Sequence, residues 1–179
     1  MTVYSKIIKL AAVIALCLIP IWAFCSITLV KLNDRPRHDS WLNEEIKNTI
    51  SAHITTDISE EAIIRFSLYL TAELLEFSEK NAITKGKANC VGYAQLYSDI
   101  CNYGFRVSHK PNCHAKPVVG LAKVSGININ SIAVHLIPWR KNFFKDHDFV
   151  EISTSTKHLY IDPSVYDVLG NSLQQDLES

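Results

Sequence analysis

On the two sides of Gly104 the apolar residues of this chain repeat with different periods, and that change limits the fold more than any other feature. Before Gly104 they recur every three or four positions. Asp57 or Ser59 is a candidate N-cap, Glu60 and Glu61 follow in the first turn, and Ile63, Phe66, Leu70, Leu74 and Phe77 make one helical face. An earlier helix is expected to begin near Ser40 or Trp41, with Leu42, Ile46 and Ile50 on one side. A third begins at or just before Cys90 and carries Val91, Ala94, Leu96 or Tyr97, and Ile100 or Cys101 on its apolar side. After Gly104 the runs are strand-like: Pro117 to Val124, Ile127 to Pro138, Phe149 to Ser153 and His158 to Ile161. Helices first and strands second specify an α+β fold with an antiparallel sheet.

The N-terminal part is expected to lie outside that domain. Leu10 to Val30 holds no charged residue over 21 positions. As a helix that run spans about 30 Å, the hydrocarbon thickness of a bilayer. The organisation expected is therefore a tail over residues 1–9, a transmembrane anchor over 10–30, a polar tether over 31–40 and one domain over 41–179. Pro20 and the poor cleavage site around Ala23, Phe24 and Cys25 favour an uncleaved anchor over a signal peptide. Lys6 and Lys9 on one side and Lys31, Arg35 and Arg37 on the other barely set an orientation, so an exported globular part is the default for a short N-terminal tail.

Charge excludes one class of partner. Lys6, Lys9 and Lys31 are the only basic residues before position 32 and no acid precedes Asp34, so residues 32–179 carry 15 Lys and Arg against 18 Asp and Glu. No basic stripe remains for nucleic acid.

Within the domain, three short segments carry chemistry: Asn89-Cys90-Val91-Gly92-Tyr93-Ala94, His147-Asp148-Phe149-Val150-Glu151-Ile152 and Tyr160-Ile161-Asp162-Pro163. They supply a thiol, an imidazole and a carboxylate, which is the inventory of a thiolate nucleophile, its base and the group that orients the base. A helix start at Cys90 favours a negative sulfur through its free N–H groups and macrodipole. The Cys90 N–H is also a donor for an oxyanion. Alternation over 147–152 sends Val150 and Ile152 to one face and Phe149 and Glu151 to the other. A hairpin of this strand with the one ending at Asp162 brings His147 and Asp162 together.

These residues resemble the transglutaminase-like superfamily of papain-related thiol enzymes, whose core is a Cys at a helix start, a His-aromatic-Val-Glu strand and an Asp-Pro strand. The likeness covers about residues 57–170. It departs from the family's pattern at Ala88 and Asn89, where glycine is common, and at Phe149, where tryptophan is. The resemblance implies Cys90 as nucleophile, His147 as general base and acid, and Asp162 as the residue that holds the imidazole tautomer. It implies a membrane-anchored hydrolase or acyltransferase acting on peptide or protein amides, with hydrolysis favoured because water is the default acceptor. No metal or organic cofactor is required.

Each residue also has a plainer reading. A cysteine at helical spacing fills cores, and an Asp-Pro after a strand makes turns. His135, in Ala133-Val134-His135-Leu136, is the rival base. His109, Cys113 and His114 are a weak metal candidate, because two of them are adjacent and no further ligand cluster stands nearby. Cys101 and Cys113 are candidates for a disulfide that leaves Cys90 reactive. Trp139 to Lys145 mixes aromatic and basic groups, as surface connections and cleft walls both do. The rival function is a non-catalytic peptide-binding module that keeps the fold.

Overall fold

A computed structural model describes residues 27–36, 39–78, 86–124, 126–128, 146–169 and 173–176. The chain divides into two compact units, Lys31–Gly120 with Asp146–Ser179, and Met1–Val30 with Leu121–Lys145. The elements are β1 (Ile27–Asp34), α1 (Glu44–His53), α2 (Glu60–Leu74), β2 (Glu76–Phe77), β3 (Lys87–Ala88), α3 (Cys90–Val107), β4 (His114–Val124), β5 (Ile127–Asn128), β6 (His147–Ser153), β7 (His158–Asp162), α4 (Pro163–Leu169) and β8 (Leu173–Asp176). In the smaller unit, the end of β4 pairs antiparallel with β5 through Lys123↔Asn128 and Val124↔Ile127. Gly126, at φ +80°, lies in the turn between them, a conformation glycine enters without steric cost.

In the larger unit the strands run β1, β4, β6, β7, β8. The ladders β4–β6, β6–β7 and β7–β8 are antiparallel, as the switch of period requires. The expected hairpin forms with Val150 opposite Ile161 and Ile152 opposite Leu159. Val150 and Ile152 join the helix-side core, while Glu151 and Phe149 face the other way, as alternation demands.

α3 is the centre of the core. Tyr93, Ala94, Tyr97, Ile100 and Cys101 are fully buried on it, against α2 and β6. Gly104 lets α3 approach its neighbours, because a Cβ there would lie 2.7 Å from Ile54 Cδ1 and 2.8 Å from Ile63 Cγ2. α2 starts as its sequence dictates, with the Ser59 side chain accepting from Ala62 N at 3.1 Å and Glu60 and Glu61 in the first turn. It ends at Leu74, so Phe77 belongs to β2 and not to the helix. α1 begins later than expected, because Asn43 is the residue whose side chain caps Ile46 N.

The N-terminal anchor is corrected. Ile27–Val30, the last residues of the expected span, are strand, and β1 runs on through the expected tether to Asp34. Two of those four residues are β-branched aliphatics, Thr28 is a third β-branched residue, and Leu29 is buried, so the run fits a pleated surface. An uncharged stretch has no period and does not by itself choose helix over strand. Among the described residues no helix is long and apolar enough to cross a membrane, and the single-pass membrane placement that rested on this helix is withdrawn with it. Residues 10–26 lie outside the described residues, as do His135 and Trp139–Lys145.

One more strand closes the sheet near the C-terminal end. There β8 (Leu173–Asp176) pairs Gln174 and Gln175 with Ile161 and Tyr160. Polar residues suit an edge strand, which is why composition concealed it.

Candidate functional site

Cys90 is the first residue of α3, and the chain is held on both sides of it. Upstream, β3 pairs parallel with β2, Ala88 is fully buried, and Ser78 N donates to Ala88 O at 2.8 Å. Gly86, at φ +75°, makes the turn into β3. Asn89 is the N-cap, its side chain accepting from Gly92 N at 3.4 Å and its carbonyl from Tyr93 N at 3.0 Å. The N–H groups of Cys90 and Val91 therefore have no intrahelical acceptor and lie next to the sulfur.

His147 opens β6 and Asp162 closes β7, and the hairpin joins them: His147 Nε2 hydrogen-bonds Asp162 Oδ2. The Cys90 side chain stands near enough to the same imidazole to interact with it electrostatically. With Nε2 committed to Asp162, Nδ1 is the ring nitrogen left for sulfur. All three residues proposed from sequence are thus brought together, and Cys90 stays half-buried, within reach of solvent. The His147 side chain is 24% exposed and that of Asp162 1%.

Burial opposes charge on His147, but the Asp162 carboxylate, through its charge and its hydrogen bond, and the Cys90 sulfur overcome it and hold the imidazole well above its ordinary value. Burial likewise works against the Asp162 anion. The His147 charge and the donors around the carboxylate prevail and hold it below the usual carboxylate range. The result is an imidazole whose protonated form is stabilised chiefly by the Asp162 carboxylate.

Asp162 has a second function that its sequence context left open. Its Oδ1 accepts from Ser164 N at 3.0 Å, Ser164 Oγ at 2.7 Å and Val165 N at 3.2 Å. It is therefore the N-cap of α4, with Pro163 at the first helical position, where a missing N–H costs nothing. The turn expected after β7 is this helix start. α4 is in turn tied to α3, because the Tyr93 hydroxyl lies 2.5 Å from Asp167 Oδ2 and 3.1 Å from the Leu75 carbonyl. Burial and the Asp167 charge raise Tyr93 and keep its proton in place. The thiol and the carboxylate thus stand at the starts of helices joined by the Tyr93–Asp167 hydrogen bond.

Other cysteines differ from Cys90. Cys101 is fully buried, and burial pushes its thiol up to about 12. Cys113 is also buried and raised, by burial and then by Glu60. The three are free thiols, so the disulfide candidate is not formed. His109 occupies a left-handed turn position at φ 56°, and among the described residues no group of three or more His, Cys, Asp or Glu is placed to hold a metal ion.

Sequence reasoning missed Arg35, Tyr93, Asp167 and Ser164 as members of this neighbourhood. The Asp-Pro-Ser order was a readable helix start. Arg35 had no local signal, since its partner Asp148 is 113 positions away. Two grooves open on the larger unit. One, of about 370 Å³, passes Glu60, Ile64, Lys110 and Lys157. The other, of about 410 Å³, lies along α3 between Arg35, Trp41, Gln95 and Lys116. Compared with known proteins, the chain matches no family model, no curated protein and no solved structure.

Proposed function

We propose that this protein is a thiol enzyme of the transglutaminase-like kind, acting on amides of peptides or proteins through Cys90, His147 and Asp162. The observation that carries this reading is the His147–Asp162 hydrogen bond beside Cys90, which is the first residue of a helix. In the reaction, His147 takes the Cys90 proton and the sulfur attacks the carbonyl carbon. The carbonyl π pair moves to oxygen, where first-turn N–H groups of α3 receive it. As the tetrahedral intermediate collapses, the protonated imidazole gives its proton to the departing amine and a thioester remains. Water or a second amine then releases the acyl group, and water is the default where both have access.

The test is amine release from a panel of N-acyl peptide amides, with intact-mass detection of the acyl adduct on Cys90. Turnover by wild type that disappears in Cys90→Ala, at unchanged thermal stability, is expected. Equal amine release by the two proteins, or adduct formation at other residues only, contradicts the reading. Added alkylamine distinguishes the two products, since a transferase diverts acyl groups from acid to amide.

A further inference from the structure

The start of α4 gives Asp162 more donors than a helix start needs. An N-cap oxygen accepts from the second or third N–H of its helix. Here Oδ1 accepts from both, Ser164 N at 3.0 Å and Val165 N at 3.2 Å, so the cap is complete without a side chain. The Ser164 hydroxyl adds a third donor to the same oxygen at 2.7 Å. Ser164 is buried, as is the Asp162 carboxylate, so this bond is made away from solvent. Oδ2 is left to His147. The two groups of a buried Asp–His pair compete for the proton between them, and a donor to the carboxylate lowers the carboxylate's share. Burial opposes the Asp162 anion and His147 supports it most, with the Ser164 hydroxyl next among the groups that hold the carboxyl below its usual range. From α3, Cys90 also acts on His147. Neighbouring carboxylates have partners of their own: Asp148 on β6 is held by Arg35, and Asp167 on α4 by the Tyr93 hydroxyl.

We propose that Ser164 is a positioning residue of this site: acting through Oδ1 of Asp162, its hydroxyl keeps the shared proton on Nε2 of His147 and the carboxylate as its acceptor. This rests on the reading of His147 as base and acid for Cys90. With the proton on Nε2, the ring that has taken the thiol's proton on Nδ1 is an imidazolium, an acid strong enough for the departing amine. With the proton on Asp162 the same ring is neutral, and its Nδ1–H is a far weaker acid. Ser164 forms no bond to substrate in this scheme and transfers no proton.

The experiment follows the Asp162 carboxyl by ¹³C NMR through an acid titration of the full chain, in wild type, Ser164→Ala, Ser164→Thr and Ser59→Ala. At a given pH on the acid limb, Ser164→Ala should raise the ratio of protonated to ionised Asp162 by about threefold to tenfold. Ser164→Thr, which keeps the hydroxyl, should restore the wild-type titration. Ser59→Ala weakens the start of α2 and should leave the titration unchanged, which separates a lost hydrogen bond from lost helix stability. If Ser164→Ala does not fold, Ser164→Cys, with its weaker donor, should give a smaller rise in the same direction. A titration indifferent to Ser164, or moved equally by Ser59→Ala, overturns the proposal. The second readout is turnover: Ser164→Ala should lower kcat on an amide by about threefold to tenfold at unchanged KM, and less on an activated aryl ester, whose leaving group departs unprotonated. Equal loss on the two substrates contradicts the proposal. Wild type with no turnover and no acyl adduct on Cys90 is a different result, since it removes the proposed function itself and the role of Ser164 in the reaction with it, whatever the titration shows.

Discussion

Asp162 divides its two oxygens between two tasks, Oδ2 holding the imidazole of His147 and Oδ1 capping the helix that begins at Pro163. The orientation of the His147 ring and local folding are coupled through one buried carboxylate.

That division separates two substitutions. Asp162→Asn keeps an oxygen for the cap but offers the imidazole an amide. It should reduce turnover or Cys90 reactivity by about 10²- to 10⁴-fold, with a small loss of stability. Asp162→Ala removes the cap too, and should cost about 1–2 kcal/mol more in denaturant unfolding. Equal unfolding midpoints for the two variants would show that the cap contributes nothing.

The ion pair should also give stability a pH window. Asp162 is held below its ordinary value, so its contribution is present above about pH 3.9 and is lost as pH falls through the folded value. His147 is held above its ordinary value, so its contribution is complete below about pH 6.5 and is lost as pH rises through the folded value. The two describe one interaction. The difference in unfolding free energy between wild type and His147→Gln should be greatest between about pH 4 and 6.5 and should narrow on both sides. Urea titrations at acid, intermediate and alkaline pH check this, and a difference that grows toward alkaline pH contradicts it.

On the sheet face away from the helices, Glu151 accepts from Lys31 at 2.7 Å and His158 at 2.7 Å and lies 3.2 Å from Lys116 Nζ. Its side chain is only 9% exposed, so Glu151→Ala leaves three donors facing each other beside buried surface. A loss of about 1–3 kcal/mol is expected, reduced from that of a fully buried pair because the partners reach solvent. Adding Lys31→Met to Glu151→Ala should recover part of it. A double variant that is simply the sum of the singles would mean the pair is not coupled.

Gly104→Ala sets helix propensity against packing. The methyl gains about 1 kcal/mol in a helix interior but collides with Ile54 Cδ1 and Ile63 Cγ2. A net loss of about 1 kcal/mol is expected, and Ile54→Val, which removes the nearer atom, should relieve it. Stabilisation by Gly104→Ala alone would show that the neighbouring side chains move aside freely.

What could be read from the residues was what is local. The Ser59 cap with Glu60 and Glu61, the helix at Cys90, and the alternation of Val150 and Ile152 with Glu151 each lie within a few positions, and each is found. The His147 and Asp162 pair followed because a hairpin is the shortest way to join two strands 15 positions apart. Features decided by distant partners were not legible. β1 was mistaken for part of a span because Ile27–Val30 carries no polar alternation. β8 was concealed by its glutamines. Arg35 looked like a residue of a polar tether, since nothing near it shows the buried carboxylate it holds.

The central claim is that Cys90 is a nucleophile activated by His147, and the rate of its alkylation by iodoacetamide tests that most directly. Wild type, His147→Ala and Asp162→Asn should be compared, with buried Cys101 as the control thiol in the same molecule. The account predicts that Cys90 is alkylated much faster than Cys101 and that this excess is lost in His147→Ala and weakened in Asp162→Asn. A Cys90 that reacts as slowly as Cys101 and is indifferent to His147 would contradict it.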